Sequence, residues 1–138
     1  MKRSVLVLCT GNSARSQMAE AIINHRRGDQ WHAVSAGTAP AARVHPMALR
    51  ALAEQGIVTE GSRPKRVSEF TGQAFDAVMT VCDDAAENCP VWVGQGQRVH
   101  VSFPDPARAT GSDEEIFAVF RAVRDDIERR VLDTLDRL

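Results

Sequence analysis

The sequence predicts an α/β protein in which a parallel sheet carries helices on both faces. Three observations lead there. Short apolar runs alternate with amphipathic stretches along the whole chain. The first of them, SVLVL at 4–8, is continuously apolar, as a strand covered on both faces must be. The chain then closes in one long stretch of helical periodicity. At 138 residues, 43% of them hydrophobic, it has the size of one domain spanning 1–138, with material for a real core and no linker-like segment.

Each element follows in order. SVLVL is a short β-branched strand, and SQMAEAIINHRRG (16–28) is the helix behind it, stopped by Gly28. WHAVSAG (31–37) reads as a second strand. HPMALRALAEQG (45–56) has Pro46 in a first-turn position, apolar Met47, Leu49 and Leu52, and Gly56 as its stop, which makes it a second helix. VSEF (67–70) is a short helical piece before a third strand, FDAVMTV (75–81), and RVHVSF (98–103) is a fourth strand. The final segment, 112–138, opens with a capping box of Ser112 and Glu115. It sets Ile116, Phe120, Val123, Ile127, Val131, Leu135 and Leu138 at helical spacing, so it is expected to lie along the sheet.

Charge and composition exclude several classes of function. Seventeen Lys and Arg against 18 Asp and Glu leave a net charge of −1, no field for gathering nucleic acid or an anionic membrane. Any anion site must therefore be local. Met1-Lys2-Arg3 before VLVLC imitates a leader, but polar TGNSARSQ follows at once, so export is not expected. No apolar stretch approaches the roughly 20 residues of a spanning helix. Three cysteines, Cys9, Cys82 and Cys89, are too few for a disulfide-stapled secreted fold, and reduced thiols in a cytoplasmic setting are expected.

The segment LCTGNSARSQMAE (8–20) carries the chemistry. A strand ending at Leu8 and a helix starting near Ser16 leave Cys9 to Arg15 as a tight loop at the carboxyl end of a strand, where open α/β sheets bind ligands. Backbone amides of Thr10, Gly11, Asn12, Ser13 and Ala14, with the positive end of the helix, form a cradle for a tetrahedral oxyanion. Arg15 adds a planar fork for two of its oxygens. The same surroundings favour a thiolate at Cys9, a nucleophile aimed at the centre of the anion. Gly11 and Asn12 suit a backbone that must enter left-handed conformations, and Ser16 either donates to the sulfur or caps the helix. A lone cysteine is more often a small buried hydrophobe, but the strand before and the helix after it favour the loop. Nucleotide-binding glycine patterns are absent. Asp105, in FPDPARA just past the fourth strand, is either a turn-forming aspartate or a general acid on the same rim. His25, His32, His45 and His100 are scattered, and the cysteine spacing is not that of a metal clip.

CTGNSARS on the first strand-helix turn, and DP before the last helix, resemble the low-molecular-weight protein tyrosine phosphatase family over essentially the whole chain. SAG, VCDDAAENCP and FAVFRAVRDDIERRV, with Cys82-x6-Cys89, are most similar to its thioredoxin-coupled arsenate reductase branch. The resemblance implies a three-layer αβα sandwich with a four-stranded parallel sheet in the order 2-1-3-4. It implies arsenate reduction to arsenite, with thioredoxin as external reductant, no bound cofactor and a monomer. The chemistry is consistent with that. Reducing arsenate takes two electrons, which one thiol cannot supply, and Cys82 followed by Cys89 can resolve an adduct on Cys9 by thiol-disulfide exchange. The branch often has a further cysteine where Ala14 stands, which the cycle does not need. Some relatives hold potassium beside the loop; Asn12, Glu20 and Ser35 match that site, but Lys65 stands at the aspartate position, so no metal is expected. Tyrosines that grip aryl substrates after Asp-Pro are missing, since the chain has none. The alternative activity is phosphotyrosine hydrolysis by Cys9, Arg15 and Asp105, with Cys82 and Cys89 guarding the nucleophile. A helical 82–89 would separate its end α-carbons by roughly 10 Å, beyond the span of a disulfide, so oxidation is expected to unwind it.

Overall fold

The computed structural model describes residues 2–83, 92 and 94–138. Four strands, β1 (Arg3–Cys9), β2 (Trp31–Gly37), β3 (Ala77–Thr80) and β4 (Gln97–His100), form one sheet in the order β2-β1-β3-β4. Every neighbouring pair is parallel. The helices are α1 (Arg15–Arg26), α2 (Pro46–Ala53) and α3 (Asp113–Asp136), with 3-10 turns at Val67–Phe70 and Pro106–Arg108. Of the expected helix over 82–89, Cys82 and Asp83 are described and are not helical, while 84–89, Cys89 included, lie outside the described residues.

The pleat of β1 divides the core. Val5 and Val7 point to a cluster with Met18, Ile22 and Ile23 of α1, Leu52 of α2, and Phe117, Phe120 and Ile127 of α3. Leu6 and Leu8 point to the opposite face, where Ala36, Val78, Phe75 and Trp92 are buried and Val67 and Phe70 of the 3-10 turn pack on them. Continuous apolarity in β1 is therefore explained by cover on both faces. Each fully buried large side chain of this kind contributes on the order of 1.5–3 kcal/mol of transfer free energy.

β4 is shorter than its sequence suggests. The expected strand 98–103 ends at His100, because β3 supplies ladder partners only from Ala77 to Thr80, and Thr80 is opposite His100. Val101 to Asp105 then leave the sheet toward the carboxyl rim. α1 ends at Arg26, before the expected stop at Gly28. α3 opens as expected: the Ser112 hydroxyl accepts from the Glu115 amide at 3.1 Å, and the Glu115 carboxylate accepts from the Ser112 amide at 3.1 Å. Against α2, the buried Arg124 donates to the Ala51 carbonyl and to Glu54, both at 2.8 Å.

Candidate active site

The nucleophile loop is built from outside inward. Segment 38–45 runs past it and takes up its carbonyls: Ala39 donates to Thr10 O at 3.0 Å, Ala41 to Gly11 O at 2.9 Å and His45 to Ser13 O at 2.9 Å. A trans peptide holds its N–H opposite its C=O, so the amides of Gly11, Asn12 and Ala14 face the other way, into the loop. The Asn12 amide donates to Cys9 Sγ at 3.2 Å. This inversion needs a left-handed residue, and Asn12, at φ 47°, is the non-glycine residue with positive φ among those described. Cys9 is opposite Gly37 in the sheet. A β-carbon on Gly37 would lie 2.4 Å from Thr10 O, so only glycine lets the end of β2 come this close.

Asn12 is fully buried, and its side chain is saturated. Its Nδ2 donates to Ser16 Oγ at 2.7 Å and to Ser35 Oγ at 2.9 Å. Its Oδ1 accepts from the Lys65 amide at 2.9 Å and from Gln17 Nε2 at 3.0 Å. These partners fix the direction of the next bonds. Ser16 Oγ receives from Asn12 and lies 2.8 Å from Cys9 Sγ, leaving its own proton for the sulfur. Ser35 Oγ likewise donates to Glu20 Oε1 at 2.9 Å. Lys65 Nζ stands 3.5 Å from the same carboxylate oxygen and donates to Arg63 O at 3.0 Å. Asn12, Glu20, Ser35 and Lys65 are thus one connected network that ends on the nucleophile. Of the two roles open to Ser16, the contact is with sulfur; the N-terminus of α1 at Ala14 has no side-chain cap.

Arg15 is 4% exposed, and its Nη1 donates to Phe103 O at 3.2 Å. Its Nη2 lies 3.8 Å from Asp105 Oδ2. Asp105 starts the 3-10 turn, its Oδ1 accepting from the Ala107 amide at 3.0 Å, while its Oδ2 faces the guanidinium. Between them lies a cleft of about 70 Å³, lined by Cys9, the loop from Gly11 to Arg15, Asp105 and Ala107. A larger hollow of about 470 Å³ beside Thr71 and Trp92 has no Cys, His or charged residue among the described residues that line it. The dimensions of the small cleft and its turned-in amides suit a small tetrahedral anion.

Cys9 is a free thiol, 2% exposed. Cys82 is fully buried two residues past β3, in the same apolar cluster as Cys9. Among the described residues, no group of three or more His, Cys, Asp or Glu is placed to hold a metal. Three contributors escaped the sequence reading: Gln17, Gly37 and His45. His45 caps α2, its Nδ1 accepting from the Met47 amide at 3.1 Å, and its ring packs against Phe120. Burial holds its imidazole below the ordinary histidine value, Arg43 adding to this and Asp105 opposing it. The available signals were the glycine of SAG directly after a strand, and a glutamine in the first turn of a helix.

The model of the family described as low molecular weight phosphotyrosine protein phosphatase matches residues 4–138. Arsenate reductase of Halalkalibacterium halodurans is 44% identical over 130 residues, covering 94% of this chain and 93% of that protein. The crystal structure of arsenate reductase from Archaeoglobus fulgidus superposes with a TM-score of 0.79 at 35% identity, covering 96% of this chain and 98% of that one. A thioredoxin-dependent arsenate reductase of Corynebacterium glutamicum gives a TM-score of 0.68 at 25% identity, covering 98% of this chain and 62% of that one.

Proposed function

The chain belongs to the low molecular weight phosphotyrosine protein phosphatase family, and on that premise we propose that it is an arsenate reductase working by a three-cysteine relay. The observation that carries the reading is a free Cys9 thiol under a turned-in loop, with Cys82 in the same buried cluster. Its Arsenate reductase relatives support it.

Arsenate sits on the loop amides from Gly11 to Ala14, with two oxygens on Arg15. Cys9 thiolate attacks arsenic, an As–O bond breaks, and Asp105 protonates the departing oxygen so that it leaves as water. Ser16 and the Asn12 amide steady the sulfur before attack. Cys82 thiolate then attacks Cys9 sulfur. The S–As bond breaks toward arsenic, which takes the electron pair and leaves as arsenite. Two thiols have been oxidised to the Cys9–Cys82 disulfide, which balances the two-electron reduction. Cys89 attacks Cys82 and frees Cys9, and the resulting Cys82–Cys89 disulfide is reduced by the dithiol of thioredoxin. Thioredoxin as donor draws support from the Corynebacterium glutamicum neighbour. The cycle needs no bound cofactor and suits a monomer in the cytoplasm, where thiols stay reduced and arsenate is removed as part of arsenical resistance.

Phosphotyrosine hydrolysis is the second reading, favoured by Asp105 standing beside Arg15 on the cleft. Against it, Ala107 lines the cleft where an aromatic side chain would grip an aryl group. NADPH oxidation with arsenate, thioredoxin and thioredoxin reductase decides between them. Turnover that stops in Cys82→Ser and in Cys89→Ser, while hydrolysis of a small aryl phosphate persists in both, supports the relay. No arsenate turnover alongside brisk hydrolysis reverses the order. Asp105→Asn should slow hydrolysis by about 100-fold or more, within the usual range for general acids.

A further inference from the structure

Gln17 belongs to the first turn of α1 and is 2% exposed, yet it neither caps the helix nor lines the cleft. Its amide nitrogen meets three carbonyl-type oxygens: Asn12 O at 3.2 Å, Asn12 Oδ1 at 3.0 Å and Arg63 O at 2.8 Å. Three acceptors fix the amide's orientation. Its oxygen, equally buried, meets no donor among the described residues. A residue kept only to fill this space would be served better by an apolar side chain of the same volume, which carries no buried carbonyl to satisfy.

We propose that Gln17 is a positioning residue for the oxyanion loop. It grips Asn12 at two points, main chain and side chain, and anchors both to the segment before Lys65. The grip on Asn12 O directs the Asn12–Ser13 peptide, and the grip on Oδ1 leaves Nδ2 facing Ser16 and Ser35. Asn12 is the left-handed residue whose amide reaches Cys9 Sγ. Gln17 thus holds in place a backbone turn that the chain does not favour unaided. The proposal rests on the reading of Cys9 to Arg15 as an anion site, and deepens it.

The test uses the reduced full chain and inorganic phosphate. Protection of Cys9 from iodoacetamide, followed by peptide mass, gives the phosphate dissociation constant at fixed pH. Wild type first tests the site itself: no protection at any phosphate concentration removes the anion site, and the proposal falls with it. Gln17→Met keeps the volume and deletes the donors. It should weaken phosphate binding about tenfold and lower arsenate kcat by a similar factor, with secondary structure retained. The effect should run through Asn12. In an Asn12→Gly background, which removes the side-chain grip and frees the left-handed backbone, adding Gln17→Met should change the phosphate constant clearly less than it does in wild type. Unchanged phosphate binding in Gln17→Met, with only the melting temperature lowered, would leave Gln17 a packing residue and overturn the proposal. So would fully additive effects in the double variant. If Gln17→Met does not fold, Gln17→Ala, whose cavity admits water to the freed acceptors, carries the same measurements.

Discussion

Two polar networks in this molecule join elements distant in sequence, and they are built in opposite ways. Around Asn12, short side chains and amides are wholly enclosed, and all four side-chain hydrogen-bonding positions are taken. Between α2 and α3, long side chains meet near the surface: Glu54 takes both Arg121 and Arg124, and the Arg50 and Arg121 guanidinia lie 4.0 and 4.4 Å from the centre of the Phe117 ring. The first network has no water to fall back on if a partner is lost. The second does. Geometry at the nucleophile is fixed where substitution costs most, and the helix pair is joined where charge is easily rearranged.

The sharpest break comes at the sulfur. Cys9→Ser should abolish arsenate reduction and any aryl phosphate hydrolysis, because a hydroxyl is not ionised there; appreciable turnover by the variant would remove Cys9 from the centre. Arg15→Lys should also fail, since a point charge cannot replace a fork bridging Phe103 O and the anion. Next comes the frame. Gly37→Ala brings a methyl to 2.4 Å from backbone and should cost about 3 kcal/mol or more, read as a lower denaturant midpoint. Asn12→Ala strips partners from two hydroxyls, an amide and Gln17, and about 2–4 kcal/mol is expected from the unsatisfied groups. A loss as small as that of a surface variant would mean that burial does not separate the two networks.

Smaller effects sharpen the contrast through pH. The His45 imidazole is depressed in the folded chain, so the unfolded chain binds its proton first as pH falls. The stability from the neutral ring is complete above the ordinary value of 6.5 and declines below it. His45→Asn, which keeps a cap acceptor without titrating, should flatten that part of the stability profile. Glu54 is held at about 2 by its bonds to Arg121 and Arg124, against an ordinary 4.5. Its contribution is full above 4.5 and fades as pH drops toward 2. Being exposed, it should be the least of these effects: Glu54→Gln should shift the melting temperature at pH 7 only slightly, and less still in high salt. A large, salt-insensitive shift would show that the helix pair behaves like the buried network.

The cradle was legible because it is local: Cys9, Arg15 and the residues between are contiguous, and the strand and helix that present them announce themselves by apolar pattern. β2 begins at Trp31 and ends at Gly37 as read, its limits set by the turn residues on either side of WHAVSAG. The extent of β4 was not legible, because the length of an edge strand is set by its neighbour. Nor were the ties that fix the loop. Phe103 O reaches Arg15 across 88 residues, and the Lys65 amide reaches Asn12 across 53. Such contacts are made by main-chain atoms, which carry no residue-type signal. Gln17 was hidden for a related reason, since two of its three acceptors are backbone carbonyls.

The cover of the nucleophile's face also sets an order in time. Cys9 lies in β1, which precedes the other described elements along the chain, while α3, which closes the apolar cluster holding both Cys9 and Cys82, comes after them. At about 5–20 residues per second, on the order of 5–20 seconds separate translation of the loop from that of the helix that seals it. During that interval the thiols have no completed core around them. Until α3 is in place, Cys9 lacks the apolar cover that keeps it 2% exposed in the folded chain, so an oxidative pulse should reach Cys9 more readily in newly made molecules than in finished ones.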